Sequence, residues 1–116
     1  DDIPPVREPN MEVMTGISTS MGHYTGKAKV VKGIQDFSKI TQGDVLIVPY
    51  SDVGWTPLFA RAGAVVAESG GLLSHSSIVA REYNIPAVVS VEGATLIRDD
   101  TIVTVDAHKG EVLIHK

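Results

Sequence analysis

The sequence predicts an α/β domain with mixed sheets, rich in strands and carrying two short helices in its middle third. Three observations lead there. Short runs rich in valine and isoleucine recur between glycine, proline and aspartate breaks. Only TPLFARAG and SHSSIVAREYN have the start and stop residues of helices. AVVAES, the second of those helices and PAVVSV make a strand–helix–strand pattern, which demands a crossover between parallel strands.

In order along the chain, residues 1–11 read as a linker or tail, with Pro4, Pro5 and Pro9 among charges and little to bury. Such a start resembles the cut edge of a larger polypeptide. Residues 12–116 read as the domain. GKAKVVKG alternates around Ala28, Val30 and Gly33 as a strand does. GDVLIVPY is a second strand, opened by a turn at Gly43-Asp44 and stopped by Pro49. TPLFARAG is a short helix with Thr56 as N-cap, Pro57 at its first position and Gly63 as its stop. AVVAES follows as a buried strand. SHSSIVAREYN is the second helix, with Asn84 near its end and Pro86 beyond. PAVVSV is another buried strand. TIVTVDA and GEVLIHK pair around a turn at His108-Lys109-Gly110. The strands flanking the crossover are expected to be antiparallel.

Composition narrows the function classes. A chain of 116 residues, 43% hydrophobic and 21% charged, buries a core and is not disordered. It has no cysteine, which removes disulfides, thiolate metal sites and a cysteine nucleophile. That fits a reducing compartment, and the cytoplasm is the expected location. No apolar run is long enough to span a membrane, and the first residues do not form a signal peptide. The net charge is −4, and the basic residues form only a small group at Lys27, Lys29 and Lys32. Neither a nucleic acid nor a membrane is expected as a partner.

Several familiar motifs fail. Gly22 to Ala28 has a phosphate-loop look, but Met21 stands where the first glycine belongs and Ala28 where a hydroxyl is needed. G-x-G-x-x-G, H-E-x-x-H and G-x-S-x-G are all absent. Asp106 and His108 lie two apart at a hairpin turn, the ordinary place for polar turn residues, so no metal site is assigned.

The informative stretch runs from residue 68 to 91. A buried strand ends at Glu68-Ser69, and Gly70-Gly71 follows, where the backbone can take positive φ and be approached closely. Ser74, His75, Ser76 and Ser77 then occupy the helix start, with Ser74 as N-cap. The positive end of a helix disfavours imidazolium and favours the neutral, nucleophilic ring. The same free N–H groups and hydroxyls suit an incoming phosphate. One location therefore favours a histidine before and after it takes up a phosphoryl group. On local physics alone, a capping or solvent-facing histidine is the favoured reading.

GGLLSHSSIVAREYNIPAVV resembles the signature of the phosphohistidine swivelling domain, the mobile domain of phosphoenolpyruvate-utilising enzymes. The matching residues are Gly70-Gly71, Ser74-His75, Ser76-Ser77, Ile78 to Arg81 and Ile85 to Val89. Residues 43–68 resemble the segment before that signature. Asp52, Trp55 and Thr56 to Phe59 bring them closest to the phosphoenolpyruvate synthase and rifampicin phosphotransferase branches. GISTSMGHYTGKAKVV resembles the family's opening strand and glycine turn, and DDTIVTVDAHKGEVLI its closing hairpin.

The resemblance implies a swivelling β/β/α fold and His75 as the phosphorylated residue. It implies that His75 is loaded at a nucleotide-binding domain of the same polypeptide and unloaded at an acceptor-site domain. ATP and Mg2+ belong to those partner domains, and this domain binds no cofactor of its own. Gly70, Gly71, Ser74, Ser76, Ser77 and Arg81 are the candidates for supporting the phosphate or docking a partner. Arg81 has the competing role of pairing with Glu68 or Asp52 and fixing the loop, and Trp55 that of packing. Many members have threonine before the Ser-His pair. Here Leu73 stands there, which leaves support of the imidazole to other groups. The rival function is a docking or regulatory module with the same fold and no chemistry.

Overall fold

The computed structural model describes residues 11–115. Its eight strands are β1 (Met11–Thr15), β2 (Ile17–Ser20), β3 (His23–Val30), β4 (Asp44–Val48), β5 (Ala62–Ala67), β6 (Ala87–Val89), β7 (Ile102–Asp106) and β8 (Glu111–His115). Two helices, α1 (Thr56–Phe59) and α2 (His75–Tyr83), interrupt them. The strand order is β1-β8-β7-β3-β4-β5-β6-β2.

β3 joins two sheets. Its first half, His23 to Lys27, pairs antiparallel with β7. Its second half, Ala28 to Val30, pairs parallel with β4. The result is an antiparallel sheet of β1, β8, β7 and β3 and a mainly parallel sheet of β3, β4, β5 and β6, closed by antiparallel β2.

Strand alternation turns these sheets into three layers. Val45, Ile47, Ala64, Val66 and Val88 face the antiparallel sheet and pack with Val103, Val105, Val112 and Ile114. Their neighbours Leu46, Val48, Val65, Ala67, Ala87 and Val89 face the other way, under Leu58, Phe59, Val79 and Ala80 of the helices. A parallel sheet covered on both faces explains why its strands read as unbroken apolar runs. This is the β/β/α arrangement, and β5–α2–β6 is the expected parallel crossover.

Three local expectations need correction. Thr56 does not cap α1. Trp55 holds the cap position, and the Thr56 hydroxyl turns elsewhere. Gly63 does not stop that helix. The chain turns at Arg61 and Gly63 lies within β5, where a side chain would run into the Tyr24 ring. Finally, of the two strands that flank the β5–β6 crossover, β2 is antiparallel as expected, but β4 is parallel to β5 and to β3 beyond it. Of the expected linker, Met11 opens β1 opposite His115, and residues 1–10 lie outside the described residues.

Candidate phosphoryl-transfer site

β4 and β5 end side by side, and they stay joined past their ends. The Glu68 N–H donates to the Val48 carbonyl at 3.0 Å, and the Ser69 N–H and hydroxyl donate to the Pro49 carbonyl at 3.2 and 2.9 Å. This brings Ser51, three residues beyond β4, against the start of α2. The corner lies at the carboxyl ends of parallel strands, where open α/β sheets place their ligands.

The loop into α2 closes around one inward carbonyl. Gly71 C=O accepts from the Ser74 N–H at 3.1 Å, the Ser74 hydroxyl at 2.8 Å and the Ser77 hydroxyl at 2.6 Å. Ser74 is the N-cap, its oxygen accepting from the Ser77 N–H at 3.4 Å. Gly70 has φ of 118°, and a Cβ there would press on Ser74 Oγ. Gly71 lacks that constraint; a Cβ on it would meet open space. Asn84, in the left-handed conformation, ends the helix as its residue type favours.

His75 is the first residue of α2 and is half-buried. Its Nδ1 lies 2.7 Å from Ser51 Oγ, which lies 2.6 Å from Ser76 Oγ. Its Nε2 lies 3.1 Å from Thr56 Oγ1. The Phe59 ring stands edge-on to the imidazole at a centroid distance of 5.8 Å. The ring is thus gripped by hydroxyls and an aromatic edge. The first helical N–H groups have no partner within the helix, and the Ser74 hydroxyl takes that of Ser77.

The other candidates separate by direction. Ser76 and Ser77 are buried, the first toward Ser51 and the second toward Gly71. Arg81 donates to the Thr19 carbonyl at 2.8 Å and the Leu72 carbonyl at 2.6 Å, tying the loop to β2. It fixes the loop, but through carbonyls and not through Glu68 or Asp52. Glu68 accepts from the N–H and hydroxyl of Thr95, and Asp52 from the Gly54 N–H. Trp55 is buried against Phe37 and Tyr50. Leu73, Val53 and Leu72 are 84%, 81% and 60% exposed and make an apolar rim on the two loops that border His75.

Sequence reasoning missed Ser51 and misassigned Thr56. Both sit some twenty residues from His75, and only strand pairing brings them to the ring. The one available signal was Leu73, which had removed the usual hydroxyl and so required another.

The model of the PEP-utilising enzyme mobile domain matches residues 40–110. The chain belongs to this family. It is 40% identical over 102 residues to rifampicin phosphotransferase of Bacillus cereus, covering 87% of this chain and 12% of that protein. It is 40% identical over 114 residues to phosphoenolpyruvate synthase of Aeropyrum pernix, covering 94% and 14%. The mobile domain therefore spans about an eighth of these relatives' length. Enzyme I in solution superposes with a TM-score of 0.59 at 27% identity, over 68% of this chain and 33% of that one. Aconitase X of Thermococcus kodakaraensis superposes at 0.69 with 16% identity, over 90% and 99%, which shows a shared fold alone. Among the described residues no helix is long and apolar enough to cross a membrane.

Proposed function

We propose that this mobile domain is a phosphoryl carrier in a dikinase-like phosphotransferase, with His75 taking up the group at a nucleotide-binding domain and delivering it at a second site. The observation that carries the reading is the imidazole at the first position of α2, gripped by a hydroxyl at each ring nitrogen.

The chemistry follows from those contacts. A lone pair on the ring attacks phosphorus, an N–P bond forms, and the P–O bond to the nucleotide breaks, its electrons leaving with the nucleotide oxygen. Delivery reverses this with an acceptor oxygen as nucleophile. We assign Nε2 as the reacting nitrogen. Ser51 in front of Nδ1 is held a second time by Ser76, whereas the Thr56 hydroxyl rests on Nε2 itself and clears it by rotating about χ1. The helix N–H groups then meet phosphoryl oxygens.

Among the described residues the ring's hydrogen bonds are to hydroxyls, and the guanidinium of Arg81 is committed to carbonyls. A site that must release its group to another domain gains from holding it weakly. Hydroxyls are also a poor donor set for Mg2+, which prefers carboxylates and phosphates. We therefore place ATP and Mg2+ at the partner domains, with the apolar rim of Val53, Leu72 and Leu73 sealing the ring against each in turn. The acceptor, a small molecule such as pyruvate or an antibiotic, is chosen by the other domain.

The test is radiolabel transfer within the parent polypeptide, supplied with Mg2+ and either ATP or phosphoenolpyruvate. Acid-labile label should appear on the intact protein and be absent from His75→Ala of equal thermal stability. Label that survives the substitution sinks the carrier reading. No label from either donor, with a demonstrably active nucleotide site, favours a docking module.

A further inference from the structure

We infer that Ser51, backed by Ser76, is a positioning residue that keeps the proton of His75 on Nδ1. The inference rests on the carrier reading, because that reading requires Nε2 to present its lone pair.

A neutral imidazole has one N–H, and the nitrogen without it is the nucleophile. In water, free histidine favours the proton on Nε2, the wrong place for attack there. Something at this corner must reverse that preference. The Ser51 hydroxyl lies 2.7 Å from Nδ1 and 2.6 Å from Ser76 Oγ. It has one proton. When that proton goes to Ser76, its oxygen is left to accept from Nδ1–H. Ser76 is buried in the first turn of α2, with its hydroxyl turned to Ser51. Ser51 is itself fixed by the extended β4–β5 pairing at Pro49. The two serines therefore form a fixed acceptor behind the ring, aimed at one nitrogen.

The proton balance is simple. Nδ1–H remains in place while Nε2 attacks, so the ring becomes an imidazolium bearing a phosphoryl group. Ser51 Oγ faces the positive charge as it develops on Nδ1–H, and the interaction strengthens as a charge-assisted bond. When the phosphoryl group leaves, the ring returns to neutral with its proton where it began. No base is consumed.

Neither serine was conspicuous as a pair in the sequence. They stand twenty-five residues apart, on different secondary-structure elements.

The experiment reads the ring in this chain with no donor present. Histidine is 15N-labelled, the His75 signals are assigned by their loss in His75→Ala, and the two ring nitrogens are compared at a pH where the ring is neutral. The native chain should show Nδ1 protonated and Nε2 bare. Ser51→Ala should move the tautomer ratio toward Nε2–H by about fivefold or more, the effect of one net hydrogen bond. Ser51→Thr, which keeps a hydroxyl, should restore the native ratio, and Ser76→Ala should fall between. A native ring protonated on Nε2, or a ratio unmoved by Ser51→Ala, overturns the inference. Because this is measured without phosphoryl transfer, its failure leaves the carrier test standing, and failure of loading leaves the tautomer result standing.

Discussion

The two ends of β4 solve opposite problems. At its amino end, Asp44 is buried and accepts from the N–H and hydroxyl of Thr41, both at 2.8 Å. Lys29 reaches it at 3.4 Å and Asp100 at 2.9 Å. Beside this cluster Lys39 meets Asp99 at 2.8 Å, and Asp99 also accepts from the Val30 N–H. Here charge is paired with charge. At the carboxyl end, two hydroxyls meet one imidazole, with Ser76 behind the first of them, and among the described residues no ion pair involves the ring. The first arrangement holds strands in register. On the proposed carrier reading, the second leaves an imidazole nitrogen whose contacts are weak enough to exchange for a phosphoryl group, so that stability and chemistry fall to different ends of the same strand.

That division is broken most directly by removing one residue from each end. His75→Ala should abolish phosphoryl loading while unfolding stability stays within about 1 kcal/mol, since the half-buried ring gives up only two hydroxyl contacts. Asp44→Ala should do the reverse. Removing a buried carboxylate that accepts two hydrogen bonds from Thr41 and pairs with Lys29 costs on the order of 1–3 kcal/mol, and loading by the folded fraction should persist. Chemical denaturation and label transfer on the same two variants separate the outcomes. If both variants lose both properties, the ends are not independent.

A finer cut is available within the glycine pair. Gly70→Ala forces a side chain into a left-handed conformation against Ser74 and should cost roughly 1–3 kcal/mol, visible as a lowered melting temperature. Gly71→Ala has room and needs no unusual φ, so its melting temperature should stay close to native, within about 0.5 kcal/mol. Equal shifts for the two would refute the account of the loop.

The smallest effect is in pH. Burial pushes the carboxyls of Asp44 and Asp99 upward, but their hydrogen bonds and the nearby lysines outweigh it, and both end below the ordinary aspartate range. Such groups add stability that is complete above the unfolded pKa of about 3.9 and is lost as pH falls through the lower folded value. The hydrogen bond from Lys29 to Asp100 leads the causes that raise its pKa against burial, so its share persists until the solution is more alkaline than an ordinary lysine pKa. Acid should therefore destabilise native protein more than Asp44→Ala. Parallel acid titrations of unfolding free energy would show this as converging curves, and curves that stay parallel would contradict it.

Much of the fold was legible because its strands and α2 have clear local signals. Pro49, Ser74, Asn84 and Pro86 mark ends that the structure keeps. The short α1 was legible as a helix but not in its boundaries. One turn of helix offers too few positions for cap rules, and the needs of His75 and Tyr24 decided the roles of Thr56 and Gly63. β1 and β2 were not read from residue pattern because neither has a strong alternation; β1 is held by pairing with β8, ninety-odd residues away. His75 was legible in its place at the start of α2, through Ser74 and the glycine pair before it. Its partners were not, because Ser51 gains meaning only when β4 and β5 lie side by side.

The central claim is tested most directly by mapping the phosphoryl group itself. The parent polypeptide would be incubated with Mg2+ and ATP, and separately with phosphoenolpyruvate, then digested and analysed by mass spectrometry under alkaline conditions. The account predicts one phosphoryl group on the peptide that contains His75, placed on that residue by fragmentation and lost after brief acidification. A phosphoryl group stable to acid, or located on a residue other than His75, would contradict it.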